Sequence, residues 1–450
     1  MGKYFGTDGI RGVANAPLSA ILACRAGFAA AVAVADATGR RPVAVIGKDT
    51  RISGDMLESA LSAGLCAGGA DVIQVGVLPT PAVAYLTRYK QADLGFVISA
   101  SHNAYEHNGI KIFNRNGFKL PDALETEIER LIDTPDELQK QAKTHDSVGR
   151  ISREEHEGER DYIDYLLSLS EEIPFGVRIA VDCANGAASR TARVLFARLG
   201  VDATVLFDDP NGVNINAECG STQLEPLRKT VRDGNYDIGF AFDGDADRML
   251  IIDDNGDVID GDVILAICAR DFKERGDLDA DTVVGTVMTN SGFREFAANY
   301  GITLLTADVG DRAVLEQMLK SGAIIGGETS GHTIFLRDAT TGDGELTALK
   351  FLGVMARSGK RASELAVTFP RYPQIIVNVA VANDDKRRVM ESDALRDAIA
   401  AAETTLGGAG RVFARPSGTE ALVRVTVEAG TDALARDIAE SVASAIKSIL

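Results

Sequence analysis

Ile238-Gly239-Phe240-Ala241-Phe242-Asp243-Gly244-Asp245-Ala246-Asp247-Arg248-Met249-Leu250-Ile251-Ile252 is the stretch from which the rest of the chain is best read. Its first five residues run without polar alternation, which suits a short strand covered on both faces. The run stops at three aspartates spaced i, i+2, i+4, and a second apolar run resumes at Met249. In a loop the three carboxylates can converge on one cation, with Gly244 easing the turn. An oxygen-only donor set selects Mg2+ or a similarly hard ion. An EF-hand calcium loop shares the alternating aspartates. It would need Gly where Arg248 stands, Glu where Asp254 stands, and a helix where Leu250–Ile252 continues as a strand. The plain alternative is a solvated acidic turn.

The same design recurs on both sides of this stretch. Pro42–Ile46, Val177–Val181 and Thr282–Val287 each open a unit as a buried strand followed by a polar turn and a helical pattern. Later in each unit comes a second apolar run: Leu94–Ala100, Ile238–Phe242 and Ala323–Gly326. Each second run stops at a loop rich in reactive residue types: Ser101-His102-Asn103, Asp243–Arg248, and Glu328-Thr329-Ser330-Gly331-His332. Alternation of short Val/Ile-rich runs with helices marks α/β architecture. The expectation is three related α/β units with mixed, mainly parallel sheets, each offering one loop from the carboxyl end of a strand.

Composition sets the boundaries. The charged segment Asp133–Asp161 is a connection, partly helical. A break falls near Asp253–Asp262, and Phe369-Pro370-Arg371-Tyr372-Pro373 is a proline-bounded linker. Beyond it, strands at Ile375–Val381, Arg411–Ala414 and Leu422–Glu428 and helices at Asp384–Leu406 and Asp432–Leu450 suit a small α+β domain with a largely antiparallel sheet. The division is therefore 1–155, 156–255, 256–369 and 370–450. At 450 residues, several cores are expected in any case.

The formal net charge of −18 argues against nucleic acid. It also means that any anion must be held by locally gathered cations. Five scattered cysteines without a CxxC pair suit reduced thiols and a cytoplasmic protein. The start of the chain lacks the pattern of a signal peptide, and the Ala/Val-rich stretch Ala23–Ala37 carries Arg25 and Asp36, so it reads as a buried helix.

Taken alone, Ser101 is weak evidence, because serine is a common loop filler. Its weight comes from the aspartate loop at the equivalent place in the next unit. A serine hydroxyl beside Mg2+ can carry a phosphoryl group, with Lys111 and His102 as candidates for acid and base. Glu328, Ser330 and His332 offer a carboxylate, a hydroxyl and an imidazole suited to sugar hydroxyls or an amine, though a polar turn with a capping serine would look the same. In Arg415-Pro416-Ser417-Gly418-Thr419-Glu420, Ser417, Gly418 and Thr419 can present N–H groups and hydroxyls to an anion, and Arg415 can add bidentate contacts. Arg424 shares a strand face with Thr426 and can point to the same anion. Arg11, Lys111, Arg248, Arg415 and Arg424 together supply the local positive charge.

These pieces resemble the α-D-phosphohexomutase superfamily. Five separated motifs carry the likeness between Tyr4 and Glu428: Phe5-Gly6-Thr7-Asp8-Gly9-Ile10-Arg11-Gly12, Ser99–Asn103 with Asn108-Gly109-Ile110-Lys111, Asp243–Arg248, Gly327–His332, and Arg415–Glu420. The resemblance implies four domains around a central active-site cleft. It implies a phosphorylated Ser101 that binds Mg2+ together with Asp243, Asp245 and Asp247, and catalytic roles for Arg11, His102, Lys111 and Arg248. It implies transfer through a sugar 1,6-bisphosphate that turns in the cleft, and a homodimer is what such relatives suggest. Asp182-Cys183-Ala184-Asn185-Gly186-Ala187, Val284–Asn290 and Val309-Gly310-Asp311-Arg312 look like the bacterial phosphoglucosamine mutase branch, with glucosamine 1,6-bisphosphate as activator and Asp311 and Arg312 as further sugar contacts. That branch serves UDP-N-acetylglucosamine synthesis.

Ala104, Ala246 and Ala421 depart from the family pattern of proline, glycine and proline. Ala246 would stiffen the metal loop if its φ is positive. Asp308 puts an acid where the branch often has lysine. A phosphomannomutase or phosphoglucomutase is the competing substrate reading; a Mg2+-dependent phosphohydrolase and a sugar-phosphate sensor are the competing classes.

Overall fold

The computed structural model describes residues 2–6, 8–417 and 421–450. Three of its sheets share one plan. In each, a central strand (Val43–Lys48, Arg178–Asp182 or Thr282–Thr286) has a parallel neighbour on one side, at Asp71–Val77, Asp202–Leu206 or Thr303–Ala307. On its other side runs the second apolar strand, Leu94–Ile98, Ile238–Phe242 or Ile325–Gly327, also parallel. That strand is followed in every case by an antiparallel return: His107–Asn114, Met249–Asp253 or Thr333–Phe335. The three reactive loops are thus the same connection, made three times. Every residue of Leu94–Ile98 and Ile238–Phe242 is buried, as expected of strands covered by helices on both faces.

The first sheet grows to seven strands. Gly9–Val13 extends it beyond His107–Asn114, which brings Arg11 level with Gly109. At the opposite edge Ile151–Arg153 pairs parallel with Asp71–Val77, so the expected connection at 133–161 donates a strand as well as helices. Three consecutive residues in a charged segment carry too little period-2 pattern to be read as a strand.

Helix Ala20–Thr38 is long and apolar enough to cross a membrane, yet its buried face packs on helix Gly54–Ala67. The approach is so close that a Cβ added to Gly64 would stand 1.9 Å from the Cys24 carbonyl oxygen. It is a core helix, capped by Ser19, whose hydroxyl accepts the Leu22 N–H, and closed by Gly39 in the left-handed region. All five cysteines are free thiols.

The fourth sheet is three-stranded and antiparallel, Gln374–Ala380, Leu422–Ala429 and Gly410–Pro416, with Leu422–Ala429 in the centre. Val423, Val425 and Val427 face its core, with helix Asp432–Ile449 against them. By contact the chain divides into two compact units, Met1–Met288 with Ile302–Ala366 and Thr289–Gly301 with Val367–Leu450. Helix Ser291–Asn299 therefore goes with the C-terminal sheet although its sequence lies within 256–369. The buried Glu428 carboxylate explains why: it accepts the Ser291 N–H at 3.1 Å, Gln374 Nε2 at 2.8 Å and Arg411 Nη2 at 2.7 Å.

Candidate active site

In the larger unit the serine, the aspartates and the expected basic residues come together. The strand Leu94–Ile98 ends and the chain turns so that Ser101 adopts φ +53°, a left-handed conformation uncommon for a non-glycine residue. The Ser99 hydroxyl accepts the Ser101 N–H at 2.9 Å. Ser101 is buried, and its Oγ donates to Asp243 Oδ2 at 2.6 Å.

Asp243, Asp245 and Asp247 are all buried, and one oxygen from each lies within 4.8 Å of the others. Asp245 Oδ2 accepts from Thr80 Oγ1 at 2.6 Å and from Lys111 Nζ at 2.8 Å. Asp247 Oδ2 accepts from Lys111 at 3.1 Å. Asp245 Oδ1 and Asp247 Oδ1 are buried with no hydrogen-bond partner. Buried carboxylate oxygens are costly without a partner, so converging oxygens of this kind fit a hard divalent cation. Burial and the two neighbouring carboxylates push the Asp243 carboxyl up to about 8. Ala246 has φ +55°, so the residue that replaces the family's glycine does sit in the left-handed region.

Lys111 is the local countercharge. It is buried, lies 3.4 Å from Asp8 as well, and despite the cost of burial Asp245, Asp247 and Asp8 hold it well above the ordinary lysine value. It remains an ammonium. Arg248 Nη1 lies 2.8 Å from His102 Nδ1. A guanidinium only donates, so Nδ1 accepts and the ring hydrogen sits on Nε2. Desolvation, Arg248 and Arg11 hold the His102 pKa down to about 4, which keeps the ring neutral. Arg11 pairs with Asp8 and reaches the Ala100 carbonyl at 3.5 Å. Arg11 Nε and Arg248 Nε are buried donors that make no hydrogen bond, and Arg248 Nε faces Asp247 Oδ1 in a long ion pair at 3.8 Å.

The third loop meets the second. Met249 N–H donates to the Gly331 carbonyl at 3.1 Å, and a Cβ on Gly331 would come within 2.3 Å of the Met249 carbonyl oxygen. Ser330 is exposed, and Glu328 accepts the Gly310 N–H at 3.0 Å, tying this loop to Val309–Arg312. His332 departs from the expected sugar contact. It is buried, its Nε2 accepts the Gly342 N–H at 3.0 Å, and its Nδ1 faces Asp247 Oδ1 at 3.6 Å. The ring therefore stands between the metal loop and Asp311, whose Oδ2 lies 4.0 Å from Nε2. Arg312 departs too: its guanidinium is committed to Asp122, Glu125 and Glu316, acidic residues beside a cavity of about 650 Å³. Asp311 is paired with Lys119 at 2.7 Å, and Lys119 bridges on to Asp8 at 2.7 Å. Thr80 and Lys119 carry no local signal of their own; only their long-range partners Asp245, Asp8 and Asp311 reveal them.

In the smaller unit Arg415 and Arg424 stand directly opposite on adjacent strands, hence on one face. Two guanidinium groups on one face offer donors of the kind that bind an anion. Ser417 N–H closes the turn on the Leu422 carbonyl at 2.9 Å, and Lys386 Nζ donates to the Ser417 carbonyl at 2.6 Å, bringing a third cation to the loop. Gly418 and Thr419 lie outside the described residues.

Repeated α/β units with a buried serine facing an aspartate triad define a phosphotransferase of the phosphohexomutase type. The chain belongs to the phosphoglucomutase/phosphomannomutase family, whose α/β/α domains I, II and III match residues 2–139, 160–256 and 260–372, and whose C-terminal domain matches 376–445. The phosphoglucosamine mutase of Thermoanaerobacter sp. strain X514 is 50% identical over 429 residues, 95% of each chain. That of Caldanaerobacter subterraneus subsp. tengcongensis is 48% identical over 447 residues, 99% of each chain. Among solved structures, a phosphoglucomutase/phosphomannomutase family protein from Burkholderia thailandensis has the same fold, with a TM-score of 0.83 at 24% identity over 98% of this chain and 97% of that one. So does Aspergillus fumigatus N-acetylphosphoglucosamine mutase, solved with GlcNAc-6P and magnesium, with a TM-score of 0.73 at 19% identity over 99% of this chain and 96% of that one.

Proposed function

We propose that this chain interconverts glucosamine 6-phosphate and glucosamine 1-phosphate, with Ser101 as the phosphoryl carrier and glucosamine 1,6-bisphosphate as intermediate and activator. The observation that carries the reading is the buried Ser101 hydroxyl 2.6 Å from Asp243, in a site where carboxylate oxygens of Asp245 and Asp247 are buried without a hydrogen bond. Glucosamine as the sugar rests on relatives near 50% identity over nearly the whole chain, all phosphoglucosamine mutases.

Asp243, Asp245 and Asp247 would hold the Mg2+, which when bound supplies neutralisation of phosphoryl-oxygen charge. The chain's own residues do the rest. Arg11 and Arg248, and His102 through Nε2–H, would donate to phosphoryl oxygens as charge spreads over them in transfer. In the forward half-reaction the bond from phosphorus to Ser101 Oγ breaks as a sugar hydroxyl oxygen bonds to phosphorus. As that bond breaks, Lys111, held as an ammonium, gives a proton to the serine oxygen and takes the sugar hydroxyl's proton in its place. After the bisphosphate turns, the same residues return its other phosphate to Ser101. Glu328, Ser330 and Asp311 contact the sugar. Arg415, Ser417, Gly418, Thr419 and Arg424 are the phosphate-binding residues of the smaller unit.

Side-by-side turnover of glucosamine, glucose and mannose 6-phosphates tests the reading. A kcat/KM at least about tenfold higher for the glucosamine ester is expected. A preference for glucose or mannose would overturn the choice of sugar, and steady release of inorganic phosphate would overturn the mutase.

A further inference from the structure

We propose that Arg51 and Asn216 are positioning residues for phosphoryl transfer, a two-armed clamp that holds Ser101 in its left-handed conformation from two different α/β units. The inference rests on the reading of Ser101 as phosphoryl carrier. Arg51 is buried and spends all five of its N–H donors. Nε pairs with Asp49 at 2.8 Å. Nη1 donates to the carbonyls of Ala104 at 2.6 Å and His107 at 3.1 Å. Nη2 donates to those of Ser101 and Asn103, each at 2.9 Å. Asn216 comes from the second unit, where its N–H is anchored on the Ala184 carbonyl at 2.8 Å. Its Nδ2 reaches the same two carbonyls, Ser101 at 2.9 Å and Asn103 at 3.1 Å.

Two carbonyls that each receive both donors cannot rotate without breaking a pair of buried hydrogen bonds. The Ser101 carbonyl fixes the peptide plane next to the carrier, and so sets the direction of its Oγ. The clamp also touches the metal loop. A Cβ added to Gly244 would stand 2.6 Å from the Ser101 oxygen and 2.8 Å from Asn216 Nδ2, so the glycine between Asp243 and Asp245 lies directly on it. The serine and the aspartates are thereby held in one register, and phosphoryl transfer depends on such placement far more than on covalent help from the protein.

Asn216→Gly is the discriminating variant. Asn216 has φ +59°, a conformation glycine adopts freely, so the backbone is kept and only the amide is lost. Arg51→Lys keeps the charge beside Asp49 and loses the fork. The readouts are kcat and KM for glucosamine 6-phosphate, the melting temperature, and the rate at which dephosphorylated protein takes phosphate onto Ser101 from glucosamine 1,6-bisphosphate. Asn216→Gly is expected to lower kcat and the phosphorylation rate about 10- to 100-fold, with KM within about twofold of wild type and the melting temperature preserved. Arg51→Lys is expected to lower both rates at least as far. A phosphorylated wild type beside an equally fast Asn216→Gly overturns the clamp alone. A loss in Asn216→Gly that appears wholly in KM, or only in step with a fall in melting temperature, also overturns it. A wild type that takes no phosphate on Ser101 overturns the proposed function itself.

Discussion

Replacing Lys111 by Met removes a buried cation from among Asp245, Asp247 and Asp8, whose oxygens lie 2.8, 3.1 and 3.4 Å from its Nζ. Methionine fills similar volume, so the change is chiefly one of charge. At an effective dielectric constant of about 20, two unit charges roughly 4 Å apart attract by about 4 kcal/mol, most of which offsets desolvation. Stripping one partner from a buried group of this kind leaves about 3–5 kcal/mol of uncompensated cost. Over 450 residues, at about 2.1 cal/mol/K of unfolding entropy per residue, that corresponds to a fall of roughly 3–5 °C in melting temperature. Calorimetry in EDTA would measure it. A divalent cation and the ammonium would both neutralise the Asp245 and Asp247 carboxylates, so adding Mg2+ should raise the melting temperature of Lys111→Met by more than that of wild type. With Mg2+ present, kcat should still be down at least about 100-fold if Lys111 is the proton relay proposed above. A destabilisation below about 1 kcal/mol, or an equal Mg2+ shift in both proteins, would refute the placement of cation and lysine in one charge cluster.

His332→Ala should weaken divalent-cation activation about tenfold while changing KM for the sugar little, since the ring backs Asp247; a rise in KM alone would return it to the sugar site. Ala246→Gly should stabilise the protein by about 0.5–1 kcal/mol at φ +55°, with kcat unchanged; a loss of stability in denaturant titration would show the left-handed alanine to be unstrained. Glu345 is buried, with its carboxyl pushed up to about 8 by burial and by Asp343, and one oxygen accepts from Thr191 Oγ1 at 2.8 Å. The folded chain therefore holds that proton above the ordinary glutamate range, and stability falls as pH rises from about 4.5 to about 8. Glu345→Gln cancels that loss. It should gain on wild type with rising pH, by no more than about 5 kcal/mol above pH 8, and a difference independent of pH would contradict the assignment.

The sequence makes the repeat legible because a buried parallel strand has to be a short apolar run, and each such run ends where the chain meets solvent and chemistry. Ile238–Phe242 is read to the residue, and the spaced aspartates after it announce a cation. Ser101 is legible only through that neighbour. Arg51 and Asn216 give no local sign, because Asp49-Thr50-Arg51 and Asn214-Ile215-Asn216 have the composition of ordinary turns; their meaning lies in carbonyls far along the chain. The contact of His332 with Asp247 is hidden by the same limit. A histidine after a sugar-suited Glu and Ser looks like a third sugar ligand, and its burial against Asp247 comes from the third loop closing on the second. The strand Ile151–Arg153 and the helix Ser291–Asn299 show the corresponding limit for the fold, since each is placed by an edge or a buried carboxylate elsewhere.

The central claim is that Ser101 carries the phosphoryl group, and intact mass with peptide mapping reads it directly. Protein incubated with glucosamine 1,6-bisphosphate should gain a single phosphate, mapped to Ser101, and Ser101→Ala should lose both the phosphate and mutase turnover. A Ser101→Ala protein that turns over glucosamine 6-phosphate at the wild-type rate would contradict the account.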